Sequence, residues 1–233
     1  IYVFPNLISL AKYAAMIASP QRHYLKLGNY TGSILANYLT AAFEFIRRAY
    51  AADPSAEHAV IGCNYLPPAG ASVVHAHFQV LMDCFPLGGM EGTLVESKRY
   101  FDENSQNFWA DLLEAEKGQK ERWIGSIGNT DWLTSFAPTN MKEIRAVVKG
   151  KSDFMEIDNA EIESLAEGLS RVLKYYDSQK LPAFNLLIYS GPLGKKVEYF
   201  WAGLKIAARS QLSPLYVSDV TWRQKLLLHN EEW

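Results

Sequence analysis

One segment of the sequence, from Asn64 to Gln79, carries most of the residues that could do chemistry. Two histidines, His75 and His77, alternate there with apolar residues and follow a glycine-bearing loop. Because successive side chains of a strand point to opposite faces, the two imidazoles and the Gln79 amide would lie in one row. An imidazole is a credible nucleophile near neutral pH, since its unperturbed pKa is about 6.5.

The loop before the histidines is suited to hold a phosphate. Gly70 permits a tight turn, and consecutive backbone amides in such a turn, including that of Ala71, form an anion-binding nest. Ser72 adds a hydroxyl group and Asn64 adds a side-chain amide. Attack on phosphorus by His77 would require its other ring nitrogen to donate a proton to a fixed acceptor. The segment therefore predicts phosphoryl or nucleotidyl transfer.

The periodicity of apolar residues predicts the elements that position this segment. Helices are predicted from Ser33, as N-cap, to Asp53, over 96–115 with an interruption near Asn104, and over 158–177. Strands are predicted over 13–18, 58–65, 73–82, 121–127, 132–137, 144–149, 183–189 and 199–207. The order strand, long helix, strand, glycine-proline loop, strand appears twice. It predicts two similar α+β halves, 1–95 and 96–233.

The composition limits the class of protein. The 233 residues carry a net charge of -2 with 48% apolar residues, which is typical of a globular chain and lacks the basic excess of a generic nucleic-acid binder. No apolar run reaches the roughly 20 residues that span a bilayer, and no signal peptide is recognisable. The only cysteines, Cys63 and Cys84, form no CxxC motif, so we expect a cytoplasmic protein. Because the chain begins without Met, we expect residues to be missing at one or both ends.

Residues 69–79, with the sequence AGASVVHAHFQ, resemble the active-site motif of the histidine-triad superfamily. The similar branch is that of galactose-1-phosphate uridylyltransferase, which includes ADP-sugar and dinucleoside-polyphosphate phosphorylases. Residues 4–7 resemble its early nucleoside-contacting segment, and residues 19–23 resemble its S-P-x-H turn. Asn64 matches a phosphate-contacting asparagine. The resemblance implies a tandem of two histidine-triad-like halves, each an antiparallel sheet with a packed long helix.

The resemblance also implies roles for individual residues. His77 would be the nucleophile that forms a covalent nucleotidyl-histidine, and Gln79 would hydrogen-bond the phosphate that is transferred. Ser72 and Asn64 would contact phosphate oxygens, together with the loop around Gly70. Asn6 would lie near the ribose or the base.

A structural zinc ion is a further implication of the resemblance. His75, which also belongs to the predicted catalytic set, and His23 match two zinc ligands of the family. The other two ligands are an upstream cysteine pair, which these 233 residues lack. Two imidazoles do not complete a tetrahedral site, so a pair of histidines without metal is the alternative.

The second half departs from the family pattern. Residues 199–205 hold no histidine where the family has them, and His229 is the only histidine of this half. We expect a degenerate unit without the family's second metal site. Its aromatic residues could cover a ligand or fill a core, and we expect the core; they are Phe200, Trp201 and Trp222. Its basic residues could bind a sugar phosphate or be solvated, and we expect solvation; they are Lys195, Lys196 and Arg209.

The leading hypothesis is a nucleotidyltransferase or phosphorylase that moves a nucleoside monophosphate from a nucleotide sugar or dinucleoside polyphosphate to a phosphate or sugar phosphate. One alternative is a nucleotide hydrolase of the same fold, and another is a nucleotide-binding protein without activity. A fourth reading treats the histidine pair as incidental. The expected partner is a nucleoside phosphate, without nucleic acid or membrane, and a homodimer is left open.

Overall fold

In the computed structural model, most helices and strands lie where the apolar periodicity of the sequence predicts them. The structure describes residues 1–21, 23–211 and 213–228. His229, the histidine of the second half, lies outside the described residues. The helices are α1 (Gly32–Ala52), α2 (Met90–Asn104), α3 (Phe108–Gln119), α4 (Asn159–Ser178) and α5 (Trp222–Lys225). The strands are β1 (Tyr2–Pro5), β2 (Tyr13–Ala18), β3 (His58–Tyr65), β4 (His77–Asp83), β5 (Trp123–Ile127), β6 (Thr130–Thr134), β7 (Ile144–Val148), β8 (Ala183–Tyr189) and β9 (Gly203–Arg209).

Side-chain caps define where the two long helices begin. Asp158 caps α4 in a capping box with Glu161, in which each side chain accepts a hydrogen bond from the other residue's backbone. The predicted N-cap of α1, Ser33, is wrong. Thr31 takes that place, because its hydroxyl accepts a hydrogen bond from the backbone N–H of Ile34 at 3.3 Å.

Within the described residues, nine strands form one antiparallel sheet in the order β1-β2-β4-β3-β8-β9-β7-β6-β5. β4 lies between β2 and β3, and β9 lies between β7 and β8, so the order predicted twice along the chain is present twice in the sheet. The predicted α+β fold of two similar halves, each with a long helix on antiparallel strands, is confirmed. Pairing of β3 with β8 joins the halves. The boundary near residue 95 stays a prediction.

The two faces of the sheet are covered differently. Helices α1 and α4 pack on one face, where Phe43 and Leu169 have no exposed surface. The opposite face carries a second apolar cluster that includes Leu81, Leu187 and Trp222, from β4, β8 and α5. His77 and Gln79 share a strand face with Leu81, since side chains alternate along β4. We call this second surface the site face.

The predicted strand 73–82 is wrong in its first part, since β4 begins only at His77. β2 pairs with β4 up to the pair Ala18 and His77, and the chain then turns at Ser19 and Pro20. Residues before His77 therefore have no strand to pair with on the β2 side, and on the β3 side the pairing already ends at Gly62 and Gln79. The predicted strand 199–207 is also shifted, to Gly203–Arg209.

The interruption predicted near Asn104 is confirmed. α2 ends there because Ser105 adopts a left-handed conformation, with φ of 54°. Asn107 then caps α3 by accepting hydrogen bonds from two backbone N–H groups. Over the described ranges, no helix combines the length and the apolar composition that crossing a bilayer requires.

Candidate active site

The imidazole of His77 is held in one orientation and one tautomer. Its Nδ1 lies 2.7 Å from the backbone oxygen of His75. A carbonyl oxygen only accepts hydrogen bonds, so Nδ1 carries the proton and donates it. Nε2 of the neutral ring is therefore unprotonated, which is the state that a nucleophile requires.

The surroundings of His77 also keep its ring neutral. The residue is only 6% exposed, and this burial lowers the pKa of the imidazole below its ordinary value of 6.5. The hydrogen bond to His75 acts in the opposite direction and is the weaker influence, and the nearby His75 ring lowers the pKa further. At neutral pH the ring is therefore available as a base or a nucleophile.

His75 and His23 come together, although neither lies on a strand. Their ring centroids are 4.9 Å apart in an edge-to-face arrangement. Nε2 of His75 donates to the backbone oxygen of Ser19 at 2.8 Å. This hydrogen bond connects the segment before β4 to the turn after β2. It also orients the backbone of His75, whose oxygen accepts the hydrogen bond from Nδ1–H of His77.

A cavity of about 540 Å³ opens beside His77. This volume lies within the range of small-molecule sites. Its polar lining includes Asn6 and Ser72, which the sequence predicts as ligand contacts. Aromatic and aliphatic side chains of the first two strands and the adjoining loops form much of the remainder; they include Tyr2, Phe4, Leu7, Met16 and Val73. We call this space the His77 cavity.

Gln79 is oriented by a residue far away in the sequence. The indole Nε1 of Trp222 donates to Oε1 of Gln79 at 2.7 Å, so the Gln79 NH2 group points away from Trp222. That NH2 group has a weak contact with the sulfur of Met16 at 3.7 Å. Trp222 lies directly over Gly62, where a Cβ atom would overlap the indole ring. The Gln79 amide therefore has a fixed orientation, although Gln79 lies outside the lining of the His77 cavity.

Asn64 is 7% exposed and lies outside the lining of the His77 cavity. Its Oδ1 accepts hydrogen bonds from Nδ2 of Asn185 and from the backbone N–H of Trp222, both at 2.7 Å. Asn185 in turn accepts from Arg209 at 2.7 Å. In this conformation the Asn64 oxygen holds α5 and β8 in place, and a direct phosphate contact stays a prediction.

The amides proposed to form an anion nest are used inside the loop. The N–H of Gly70 donates to the oxygen of Pro67 at 3.0 Å, and that of Ala71 donates to Leu66 at 3.3 Å. Gly70 has φ of 83°, and a Cβ there would lie 2.8 Å from the backbone oxygen of Val220. Its function in this conformation is to let the loop turn against the chain's own C-terminal segment. Ser72 remains as the exposed donor beside the His77 cavity.

The described residues do not complete a zinc site. His23 and His75 provide two imidazoles, but Nε2 of His75 already donates to Ser19. Across the described ranges, no three or more His, Cys, Asp or Glu side chains are grouped so that they could hold a metal ion. Structural zinc needs four ligands. We therefore assign no chemical step to a metal, and zinc stays a prediction.

The second half uses its aromatic and basic residues in several ways. Phe200 and Trp222 are fully buried, as expected for core residues. Lys195 is exposed and pairs with Glu57 at 2.5 Å. Solvation of Arg209 was the wrong prediction, because its guanidinium is half-buried and binds Asn185, Ser218 and the backbone oxygen of Val220; Asn185 lies on the neighbouring strand.

Sequence reasoning missed three residues around His77 and Gln79. Ser19 anchors His75, and Met16 and Trp222 contact Gln79. Ser19 belongs to a turn that the sequence marks, so its backbone could have been considered. The contact between Trp222 and Gln79 joins residues 143 positions apart, and no local pattern indicates it.

Comparison with known proteins bears on the fold. No family model matches the sequence. An uncharacterized protein of Archaeoglobus fulgidus is 27% identical over 230 residues, which cover 98% of this chain and 67% of that protein. A solved uridylyltransferase is similar with a TM-score of 0.79 and 17% identity, covering 94% of this chain and 74% of its own.

Two plant structures are similar to a comparable degree. An ADP-glucose phosphorylase from Arabidopsis thaliana with bound ADP-glucose has a TM-score of 0.76 at 22% identity, over 92% of this chain and 72% of its own. A galt-like protein from Arabidopsis thaliana has a TM-score of 0.78 at 21% identity, over 97% of this chain and 83% of its own. The chain therefore has the fold of these uridylyltransferase and phosphorylase structures, which agrees with the fold that the motif around His75 and His77 implies by resemblance.

Proposed function

We propose that this chain transfers a nucleoside monophosphate from a nucleotide sugar or a dinucleoside polyphosphate to a phosphate or sugar phosphate, with His77 as the covalent carrier. The contact that carries the proposal is the 2.7 Å hydrogen bond from Nδ1 of His77 to the His75 oxygen, beside a cavity of about 540 Å³. It leaves a neutral, unprotonated Nε2 in a ring that cannot rotate without losing the bond.

In the first step, Nε2 of His77 attacks the phosphorus that bears the nucleoside. A P–N bond forms and the bond from phosphorus to the bridging oxygen breaks, so that a sugar phosphate or nucleotide leaves with the electron pair. Positive charge develops on the imidazole during the attack. The His75 oxygen, which accepts the hydrogen bond from Nδ1–H, stabilises that charge, as a fixed acceptor does in other histidine-based sites.

In the second step, an oxygen of the acceptor phosphate attacks the same phosphorus. The P–N bond breaks and the neutral ring returns with its Nδ1 proton in place. Donors that stabilise the phosphate oxygens in both steps would be the Gln79 NH2 group and the Ser72 hydroxyl. Trp222 fixes the Gln79 amide in advance, so less ordering is required during the reaction.

The lining of the His77 cavity supports a nucleoside as the transferred group. Phe4 and Met16 provide apolar surface for a base, and Asn6 lies beside them as a hydrogen-bonding side chain. The same lining does not select between uracil and adenine. The similar solved structures include both a uridylyltransferase and an ADP-glucose phosphorylase, which agree with the class of reaction proposed.

Intact mass spectrometry tests the covalent step. The protein would be mixed with UDP-sugars, ADP-sugars and dinucleoside polyphosphates, beside a His77→Asn variant. We expect the wild-type mass to increase by one nucleoside monophosphate, and the size of the increase names the base. His77→Asn should gain no mass, because an amide cannot attack phosphorus.

The identity of the acceptor is tested with the nucleotidylated protein. Adding phosphate or a sugar phosphate should release the nucleotide as a new diphosphate product, and label should exchange between substrate and product pools by ping-pong kinetics. Loss of the adduct in water alone, at the same rate as with acceptors, would indicate a hydrolase instead. An adduct or an exchange activity that persists in His77→Asn would disprove the proposal.

A further inference from the structure

Two cations lie directly opposite each other on the site face of the second half. Lys205 in β9 and Arg145 in β7 are register partners. Such residues have Cβ atoms about 5 Å apart, and like charges in this arrangement are destabilising. The pair therefore has an electrostatic cost that something else must offset.

The ammonium group of Lys205 is poorly compensated by the protein. Burial, and the nearby Arg145, lower its pKa to about 8, while Glu143 acts in the opposite direction. Its Nζ atom lies over the face of the Tyr189 ring, 5.6 Å from the ring centroid. It has no hydrogen bond or ion pair with any residue that the structure describes. A largely buried charge without a partner is costly.

The neighbouring acid, Glu143, is already committed. It accepts hydrogen bonds from Ser135 at 2.6 Å and from Thr139 at 3.2 Å, and it lies 3.6 Å from Arg145. Arg145 also donates through Nε to Ser135 at 2.9 Å. One shared carboxylate therefore faces two cations, and the local charge is positive.

These cations line a cavity of about 350 Å³ under α2 and α3. We call it the Lys205 cavity; its polar and aromatic lining includes Ser97, Arg99, Tyr100, Trp109, Arg145 and Lys205. Trp109 is only 4% exposed, and its indole N–H has no hydrogen-bond partner within the part of the chain that the structure describes. A buried donor of this kind requires an explanation, and a ligand is one.

Acidic side chains at the cavity do not neutralise it. Glu96 forms an ion pair with Arg99 on the same helix, and Glu103 is exposed. The Lys205 cavity and the His77 cavity share no lining residue. β9 lies three strands from β4, which is roughly 14 Å at ordinary strand spacing, and Trp222 covers Gly62 between them.

We propose that the Lys205 cavity binds the phosphate group of a small phosphorylated metabolite, as a second site distinct from the His77 cavity. A phosphate group carries more negative charge than a carboxylate at pH 7 and has three acceptor oxygens, enough to receive hydrogen bonds from both the Arg145 guanidinium and the Lys205 ammonium. Arginine and lysine are the side chains that bind phosphate in proteins, and Arg145 and Lys205 stand on rigid strands. The indole N–H of Trp109 would supply a further donor.

Calorimetric titration with inorganic phosphate at pH 7 and constant ionic strength tests this site. We expect saturable binding to the wild type, and at least about tenfold weaker binding to Lys205→Met, which removes the charge but keeps the length of the side chain. Arg145→Gln should weaken binding as well. Lys195→Met is the matched control, because Lys195 is an exposed lysine of the same half that pairs with Glu57.

Thermal melting separates loss of the site from loss of the fold. Without phosphate, Lys205→Met should melt no lower than the wild type, since it loses an uncompensated buried charge. Phosphate should then raise the melting temperature of the wild type and of His77→Asn, but not of Lys205→Met. The proposal is overturned if the wild type binds no phosphate, if Lys205→Met and Arg145→Gln bind it as the wild type does, or if His77→Asn alone loses binding. None of these results depends on the covalent adduct at His77.

Discussion

A histidine that attacks phosphorus needs one ring nitrogen without a proton, and the surroundings of His77 provide it. The carbonyl oxygen of His75 accepts from Nδ1, and burial opposes protonation of the ring. His75 is held in turn by its own bond to Ser19. Two backbone oxygens, that of His75 acting directly and that of Ser19 acting through His75, therefore orient this imidazole.

The lowered pKa of His77 predicts the acid limit of the reaction. Because the folded-state pKa lies below the ordinary 6.5, the ring stays unprotonated as pH falls to 6.5 and becomes protonated only at lower pH. The acid limb of the single-turnover rate of nucleotidylation should therefore be centred below pH 6.5. Rapid-quench mass spectrometry across the pH range measures this limb.

The same shift has a consequence for stability, which provides the control. In the unfolded chain His77 binds a proton below pH 6.5 that the folded protein does not, so its contribution to the free energy of unfolding is lost as pH falls from 6.5 to the folded pKa. Circular dichroism must show that the protein stays folded over the range used. An acid limb centred at or above pH 6.5 would contradict the argument.

At the scale of elements, the short helix α5 positions residues of the candidate site through its first residue, Trp222. Trp222, its first residue, lies over Gly62 of β3 and donates to Gln79 of β4. Its backbone N–H donates to Asn64. The helix thus closes the site face between the His77 cavity and the Lys205 cavity, and it fixes the Gln79 amide.

Gly62→Ala tests this arrangement, because a Cβ atom at residue 62 would overlap the Trp222 indole. We expect the variant to lose about 1–3 kcal/mol of stability from overpacking and to nucleotidylate His77 more slowly, since Gln79 loses its indole donor. Urea unfolding and the single-turnover rate measure the two effects.

Gly118→Ala is the matched control for this substitution. It lies in α3, where a Cβ would meet no atom within 4 Å, and it should stabilise the protein by up to about 1 kcal/mol through helix propensity. Equal effects of the two alanine substitutions, on stability and on rate, would show that Trp222 does not depend on Gly62.

At the scale of the whole molecule, the two halves share a sheet and a core. Residues 60–65 of β3 pair with 184–189 of β8. The Phe43 and Phe154 rings, one from each half, meet edge to face at 5.2 Å. Asn185 links Asn64, Arg209 and the backbone oxygen of Ala69 in a buried network across the junction.

This continuity predicts a single unfolding transition. All six tryptophans lie after residue 108, so their fluorescence reports the second half and, through Trp222, its contact with β3 and β4, whereas far-UV circular dichroism reports the whole chain. The two signals should change at the same urea concentration. Asn185→Ala should shift both by roughly 2–3 kcal/mol, because Arg209 and Ala69 lose buried hydrogen bonds.

Asn104→Ala is the corresponding surface control. The Asn104 side chain makes an exposed hydrogen bond to Tyr100 at the end of α2, so its loss should change stability by less than about 0.5 kcal/mol. Separate transitions for fluorescence and circular dichroism would mean that the halves unfold independently. That result would favour two domains with a boundary near residue 95.

The sequence by itself determined the repeated order of elements and most of their bounds, and it predicted His77 as the candidate nucleophile. These features depend on local alternation, helical periodicity and a compact motif, all of which act within a few residues. His77 and Gln79 could be assigned to one strand face for that reason. The bounds of β2, β3 and β8 follow from short apolar runs flanked by turn residues.

Only the tertiary structure decided which partners these residues meet. It directed the Nδ1–H group of His77 to the His75 oxygen and placed Trp222 against Gln79. It also turned the loop amides of Gly70 and Ala71 inward, and it set Lys205 opposite Arg145. Each of these contacts depends on how strands pair and how loops pack across the sheet. Such pairings join residues distant in sequence, and local propensity contains no information about them.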